Sequence, residues 1–210
     1  MLIIGAKGFA KEILEVCHQN NDLENLCFYD DVNDDVSGKL YDKFPILKST
    51  EEAKEYFENT DNRFTIGIGN PILRKKLYDK FTDLGGTLTS TVSYKADIGS
   101  YGITIGKGAN ILDGVKISND VNLGLATIVY YNSIITHDVF IGDFVEISPN
   151  VKILGRAKIG NFSQLGAGAT ILPDITIGNN VIIGAGSVVI KNIPDDCTAV
   201  GIPAKIIKQG

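Results

Sequence analysis

Tryptophan is absent from this 210-residue chain, methionine occurs once, histidine twice and cysteine three times. Cys17, Cys27 and Cys197 are odd in number and lack CxxC spacing, and only His18 and His137 could add imidazole ligands. A disulfide framework and a structural zinc site are therefore not expected, and a reducing cytoplasm is the expected compartment. Long apolar runs are missing as well. The N-terminus passes from Met1 straight into a Leu-Ile-Ile strand with no charged leader or cleavage site, so neither a membrane span nor a secretory signal is expected. Basic residues are few and unclustered: residues 1–90 carry 11 Lys and Arg against 16 Asp and Glu, and residues 91–210 carry 9 against 9. The whole net charge of -5 sits in the first part, and no footprint for a nucleic-acid backbone exists. Small molecules or proteins remain as partners. What the chain does hold is 44% apolar residues, enough for a core and too many for disorder as the main state.

From Ile105 the sequence divides into fifteen consecutive hexads, IGKGAN to VIKNIP, each beginning with Ile, Leu or Val. The fifth position, from Ala109 to Ile193, is never charged and never larger than Ile. A fifth position and the next first position lie two residues apart, which is the period of a strand with one buried face. Positions two to four must then turn a corner. Glycine recurs at the second position, as in Gly106, Gly124 and Gly142, and is expected to supply backbone freedom there. Three short sides close a triangular coil of three hexads, so residues three hexads apart stack on one another. Five coils about 4.8 Å apart make a prism about 24 Å long.

The first part alternates strands and helices. MLIIGAKGFAKEILEVCHQN reads as a strand, a glycine turn at Gly5 and Gly8, and a helix with Ile13, Leu14 and Cys17 on one side. A second strand over Leu26 to Tyr29 ends in Asp30-Asp31, and a third over Phe64 to Ile68 runs into Gly69 and Asn70. After Pro71, apolar residues at helical spacing predict a helix that stops at Gly85-Gly86. The expected fold class is mixed: a small α/β (βαβ, Rossmann-like) domain over residues 1–88, then a left-handed parallel β-helix of hexapeptide repeats with a C-terminal cap over 89–210. Ligands of such small sheets sit beyond the carboxyl ends of the strands, where the three loops converge.

GAKGFA, FYDD, GIGNPILRKKL, the hexads and the terminal GIPAK together resemble one family over nearly the full length. The chain is similar to bacterial sugar acetyltransferases of the sialic acid O-acetyltransferase and nucleotide-amino-sugar N-acetyltransferase group. The left hand of the helix comes from this resemblance alone. The resemblance implies a homotrimer that uses acetyl-CoA, holds a sugar or nucleotide sugar against the N-terminal half, and needs no metal. It also implies a corner histidine followed by an acid, here His137-Asp138. The family loop often reads GxxGHG, whereas this chain has Phe9 and Ala10 after Gly8, and the family's common Glu after the histidine is Asp138.

On this reading His137 is a general base and Asp138 its orienter. Gly155, one coil beyond His137, opens a groove for the pantetheine arm and offers an N–H to the oxyanion. Ala167 and Ala185 form a lane of small residues for acetyl-CoA, with Lys205 of the terminal motif. The nucleotide sugar falls to Gly5, Lys7, Gly8, Asp30, Asp31, Gly69 and Asn70. His18 reads as a surface residue and the cysteines as packing. Two rivals are a zinc carbonic anhydrase solenoid, which needs three histidines where two exist, and a non-catalytic β-solenoid scaffold, which needs no His-Asp corner. The sequence leaves open oxygen or nitrogen as acceptor, the sugar and the nucleotide.

Overall fold

Three apolar residues before the first glycine become the central strand of the N-terminal sheet in the computed structural model, which describes residues 1–210. The order in this part is β1 (Leu2–Ile4), α1 (Gly8–Gln19), β2 (Cys27–Tyr29), β3 (Lys39–Leu40), β4 (Phe44–Leu47), α2 (Thr50–Asn59), β5 (Arg63–Ile66), α3 (Pro71–Asp83) and β6 (Thr87–Leu88). The strands line up β3-β4-β2-β1-β5-β6, parallel except for the β3-β4 hairpin. The expected three strands and two helices are present, and the hairpin, α2 and β6 extend them. Helix α2 begins at a reciprocal cap, in which Ser49 Oγ accepts from Glu52 N–H and Glu52 Oε2 accepts from Ser49 N–H. The core is aromatic: Tyr29, Phe57, Phe64 and Phe81 pack with ring centroids between 4.8 and 6.3 Å apart. No helix of the chain is long and apolar enough to cross a membrane.

The chain divides into two compact units, Met1–Thr91 and Val92–Gly210. In the second unit, two-residue strands stack in parallel into three sheets, the faces of a triangular prism. Ile117 pairs in line with Ile135, Ile153, Ile171 and Val189, each step spanning three hexads. First and fifth positions fill the interior, which is almost wholly aliphatic. The few hydroxyls there bond to carbonyls of corner residues: Thr127 Oγ1 donates to Gly142 O at 3.1 Å and Ser163 Oγ to Gly178 O at 2.8 Å.

The solenoid departs from the sequence reading in three ways. It begins a coil before Ile105, because one extra residue between Ile98 and Thr104 breaks the hexad count: Ile98 pairs with Ile117, one position beyond the three-hexad step. The last hexad also slips. Ile193 pairs with Ile177, two positions short of that step, instead of lying over Ile175, so VIKNIP is a shortened turn into the terminal hairpin. Third, the backbone freedom belongs to position four, not position two. From Gly108 to Gly186 every fourth position has positive φ, including Asp120, Asn132, Asp138, Phe144 and Arg156. The second-position glycines serve close stacking instead, since a Cβ on Gly124 would lie 2.5 Å from the Gly142 carbonyl group one coil away. Gly124→Ala is therefore expected to cost about 1–3 kcal/mol by overpacking, whereas Asn150→Gly, at φ 60°, should stay within about 0.5 kcal/mol. Chemical denaturation of the two variants checks this, and an equal loss in both would restore backbone freedom to position two.

Candidate active site

His137 and Asp138 occupy the third and fourth positions of a corner between the strands Ile134–Ile135 and Phe140–Ile141. Asp138 is in the left-handed region at φ 60°, and this turn brings its Oδ2 to 2.7 Å from His137 Nδ1. Asp138 therefore favours the tautomer with its proton on Nδ1, which leaves Nε2 as an acceptor. Both side chains are more than half exposed. Directly beyond lies Gly155, where a Cβ would sit 2.7 Å from His137 Cε1 and 2.9 Å from Nε2. The basic edge of the imidazole thus faces a position in the next coil that has no side chain. Gly155 N–H donates to no group of the chain, while its carbonyl accepts from Asp174 N–H at 3.0 Å.

Ala167 and Ala185 do stack, together with Pro149, and both are exposed. They line a different corner from His137, however. The face containing Ile134–Ile135, Lys152–Ile153 and Thr170–Ile171 separates the two corners, so one copy of the chain does not bring the alanines to the imidazole. Lys205 is exposed on the antiparallel terminal strand Ala204–Gln209, opposite Val200.

In the first unit, a cavity of about 220 Å³ opens beyond the carboxyl ends of β1, β2 and β5. Gly5, Asp30 and Asp31 line it, joined by Tyr29, Leu73 and Leu77. At Gly5, φ is 102° and a Cβ would meet Ile68 Cδ1 at 2.9 Å, so glycine is needed there on both counts. Asp30 is buried and already engaged, its Oδ1 accepting from the N–H groups of Val32 and Asn33 and from Asn33 Nδ2. It builds the turn that shapes the cavity. Asp31 accepts from Tyr29 OH at 2.7 Å and Lys80 Nζ at 3.2 Å. Burial raises its pKa, but those two donors outweigh burial and hold the carboxyl below its usual range.

The other expected substrate residues have local tasks. Lys7 Nζ pairs with Asp35 at 2.8 Å, and Gly8 opens α1. Asn70 Oδ1 caps α3 by accepting from Leu73 N–H, and Gly69 O accepts from the buried Arg74 guanidinium. These four do not line the cavity. Sequence reading misses Tyr29, Leu73, Leu77 and Lys80, because only the sheet order brings β2 and α3 to one opening. Burial pushes the thiols of Cys17 and Cys27 up to about 12, which leaves them unreactive near neutral pH. No group of three or more His, Cys, Asp and Glu side chains converges to hold a metal ion.

Residues 1–81 match the PglD N-terminal domain, and residues 156–191 match the bacterial transferase hexapeptide (six repeats). GDP-perosamine N-acetyltransferase of Escherichia coli O157:H7 is 29% identical over 158 residues, 73% of this chain and 69% of that protein. Among solved structures, a histidine-to-asparagine variant of perosamine N-acetyltransferase from Caulobacter crescentus, with CoA and GDP-perosamine, is 29% identical with a TM-score of 0.90. It covers 99% of this chain and 96% of its own. The acetyltransferase domain of PglB from Neisseria gonorrhoeae, with acetyl coenzyme A, is 28% identical with a TM-score of 0.90 and 98% coverage of both chains. In both of its units and along almost its entire length, the chain is similar to nucleotide-amino-sugar acetyltransferases.

Proposed function

We propose that the protein transfers the acetyl group of acetyl-CoA to the amino group of a nucleotide-linked amino sugar for a surface glycan, with His137 as general base. The observation that carries the chemistry is the His137 imidazole, bonded through Nδ1 to Asp138 and presenting Nε2 over the bare Gly155. The acceptor nitrogen attacks the thioester carbonyl carbon while Nε2 removes its proton. Gly155 N–H donates to the resulting oxyanion. Collapse breaks the C–S bond, and the proton on Nε2 passes to the departing thiolate. No cysteine of the chain, metal or covalent enzyme intermediate is needed.

The cavity beyond β1, β2 and β5 is read as the nucleoside site, its apolar wall formed by Leu73 and Leu77. Asp30 acts on it through the turn it holds, whereas Asp31 is partly exposed and engaged by Tyr29 and Lys80. Asp30→Ala is accordingly expected to weaken nucleotide-sugar binding at least tenfold and Asp31→Ala less than about threefold, with acetyl-CoA binding unchanged in both. Calorimetry with each ligand decides this, and equal weakening by the two variants would return Asp31 to direct contact.

The second corner, with Ala167 and Ala185, joins the His137 corner when supplied by a neighbouring copy, and this favours a homotrimer packed through the prism faces. The cytoplasm, where acetyl-CoA is available and the free, buried cysteines stay reduced, is the compartment that suits the reaction. A free-thiol release assay against a panel of nucleotide-linked amino sugars and sialic acids tests the activity. Release with an amino sugar and none with its hydroxyl counterpart is expected, and the reverse would overturn the choice of nitrogen.

A further inference from the structure

Asp138, Arg156 and Asp174 are the fourth residues of three corners stacked one above another, with φ values of 60°, 62° and 62°. Arg156 therefore lies between two carboxylates, each about one coil spacing of 4.8 Å away along the column. It is engaged on one side only. Its Nε donates to Asp174 Oδ1 at 2.6 Å and its second terminal nitrogen to Asp174 Oδ2 at 2.8 Å, a two-pronged contact. On the other side Asp138 gives its Oδ2 to the imidazole. The backbone ties the column together, since Arg156 N–H donates to His137 O at 3.1 Å and Asp174 N–H to Gly155 O at 3.0 Å.

The two uses of Asp138 compete. A guanidinium fork on a carboxylate is a pair of charge-assisted hydrogen bonds, stronger than one hydrogen bond from a neutral imidazole. An unengaged Arg156 one coil away would draw Asp138 off His137, releasing the ring from the tautomer and orientation that aim Nε2 at the substrate. We propose that Asp174 is a positioning residue for the transfer reaction: by occupying the Arg156 fork, it reserves Asp138 for His137. The inference rests on the reading of His137 as the base.

Steady-state kinetics of Asp174→Asn, Arg156→Gln and the double variant test it, with His137→Ala as reference. Asp174→Asn is expected to lower kcat about tenfold, as misorientation of a catalytic group does, while KM for either substrate moves less than twofold. Arg156→Gln removes the competitor and keeps wild-type kcat, and the double variant returns to within about twofold of wild type. That rescue separates competition from a structural role, in which losing both partners would be no better than losing one. An undiminished kcat in Asp174→Asn, or a double variant as slow as Asp174→Asn, overturns the inference. Retained activity in His137→Ala overturns the base assignment instead.

Discussion

His137→Ala is expected to lower kcat by about 10² to 10⁴-fold, the usual worth of a general base, while acetyl-CoA binds with nearly unchanged affinity. The size follows from the arrangement at the corner. His18 is the only other imidazole, and it belongs to α1, so the solenoid holds no second histidine to replace His137. The neighbouring carboxylate, Asp138, is already bonded to Nδ1 and sits in a left-handed turn that fixes its direction. Acetyl-CoA affinity is spared because the ring acts on the acceptor's proton and the side chain is more than half exposed. Product formation over a range of acceptor concentrations, together with calorimetry for acetyl-CoA, reads both quantities. A variant with more than half of wild-type turnover sinks the assignment.

The second large effect is expected from a single methyl group. Gly155 has no positive φ, so alanine fits its backbone, and the cost of Gly155→Ala arises from the new Cβ meeting His137 Cε1 at 2.7 Å and Nε2 at 2.9 Å. Contacts that short force the ring to move. Rotation about χ1 takes Nδ1 away from Asp138, and parting of the coils breaks the bond from Arg156 N–H to His137 O. Either response displaces the base by about an ångström, which costs on the order of 10² in kcat. The methyl group also fills the groove assigned to the thioester, so KM for acetyl-CoA rises in the same variant. Turnover and KM at saturating acceptor measure the two effects, and circular dichroism confirms an intact solenoid. Unchanged values of both would place the thioester at another corner.

Most of the solenoid is legible in the sequence because its rule is local. Each hexad repeats the same aliphatic-to-small spacing, and stacking every third hexad puts Gly155 over His137 by counting alone. The same count reaches Arg156 and Asp174 from Asp138. The count fails at the extra residue between Ile98 and Thr104 and at the shortening before Ile193. These lie at the ends of the stack, where a coil has a neighbour on one side only and its length is less constrained. The second-position glycines are visible in the sequence but their purpose is not, since φ and steric room both favour glycine and only coordinates tell them apart. In the first unit the cap pattern Ser49-x-x-Glu52 carries the start of α2. The cavity beyond β1, β2 and β5 is legible at Gly5 and Asp30, which follow strands. Leu73, Leu77 and Lys80 stay hidden because their contribution depends on how α3 lies against the sheet, which no local pattern records.

The antiparallel strand Ala204–Gln209 has a bearing on solubility. A stack of parallel coils ends in unpaired backbone groups that match the start of another stack, so bare solenoid ends invite copies to add head to tail into fibres. Here the face that carries Ile182–Ile183 continues with the parallel strand Cys197–Gly201 and then reverses polarity through Ala204–Gln209. A further parallel coil finds the wrong hydrogen-bond spacing on that edge. Lys205 and Lys208, both exposed on the strand, add charge where an incoming coil would dock. That edge therefore resists head-to-tail addition of a further copy.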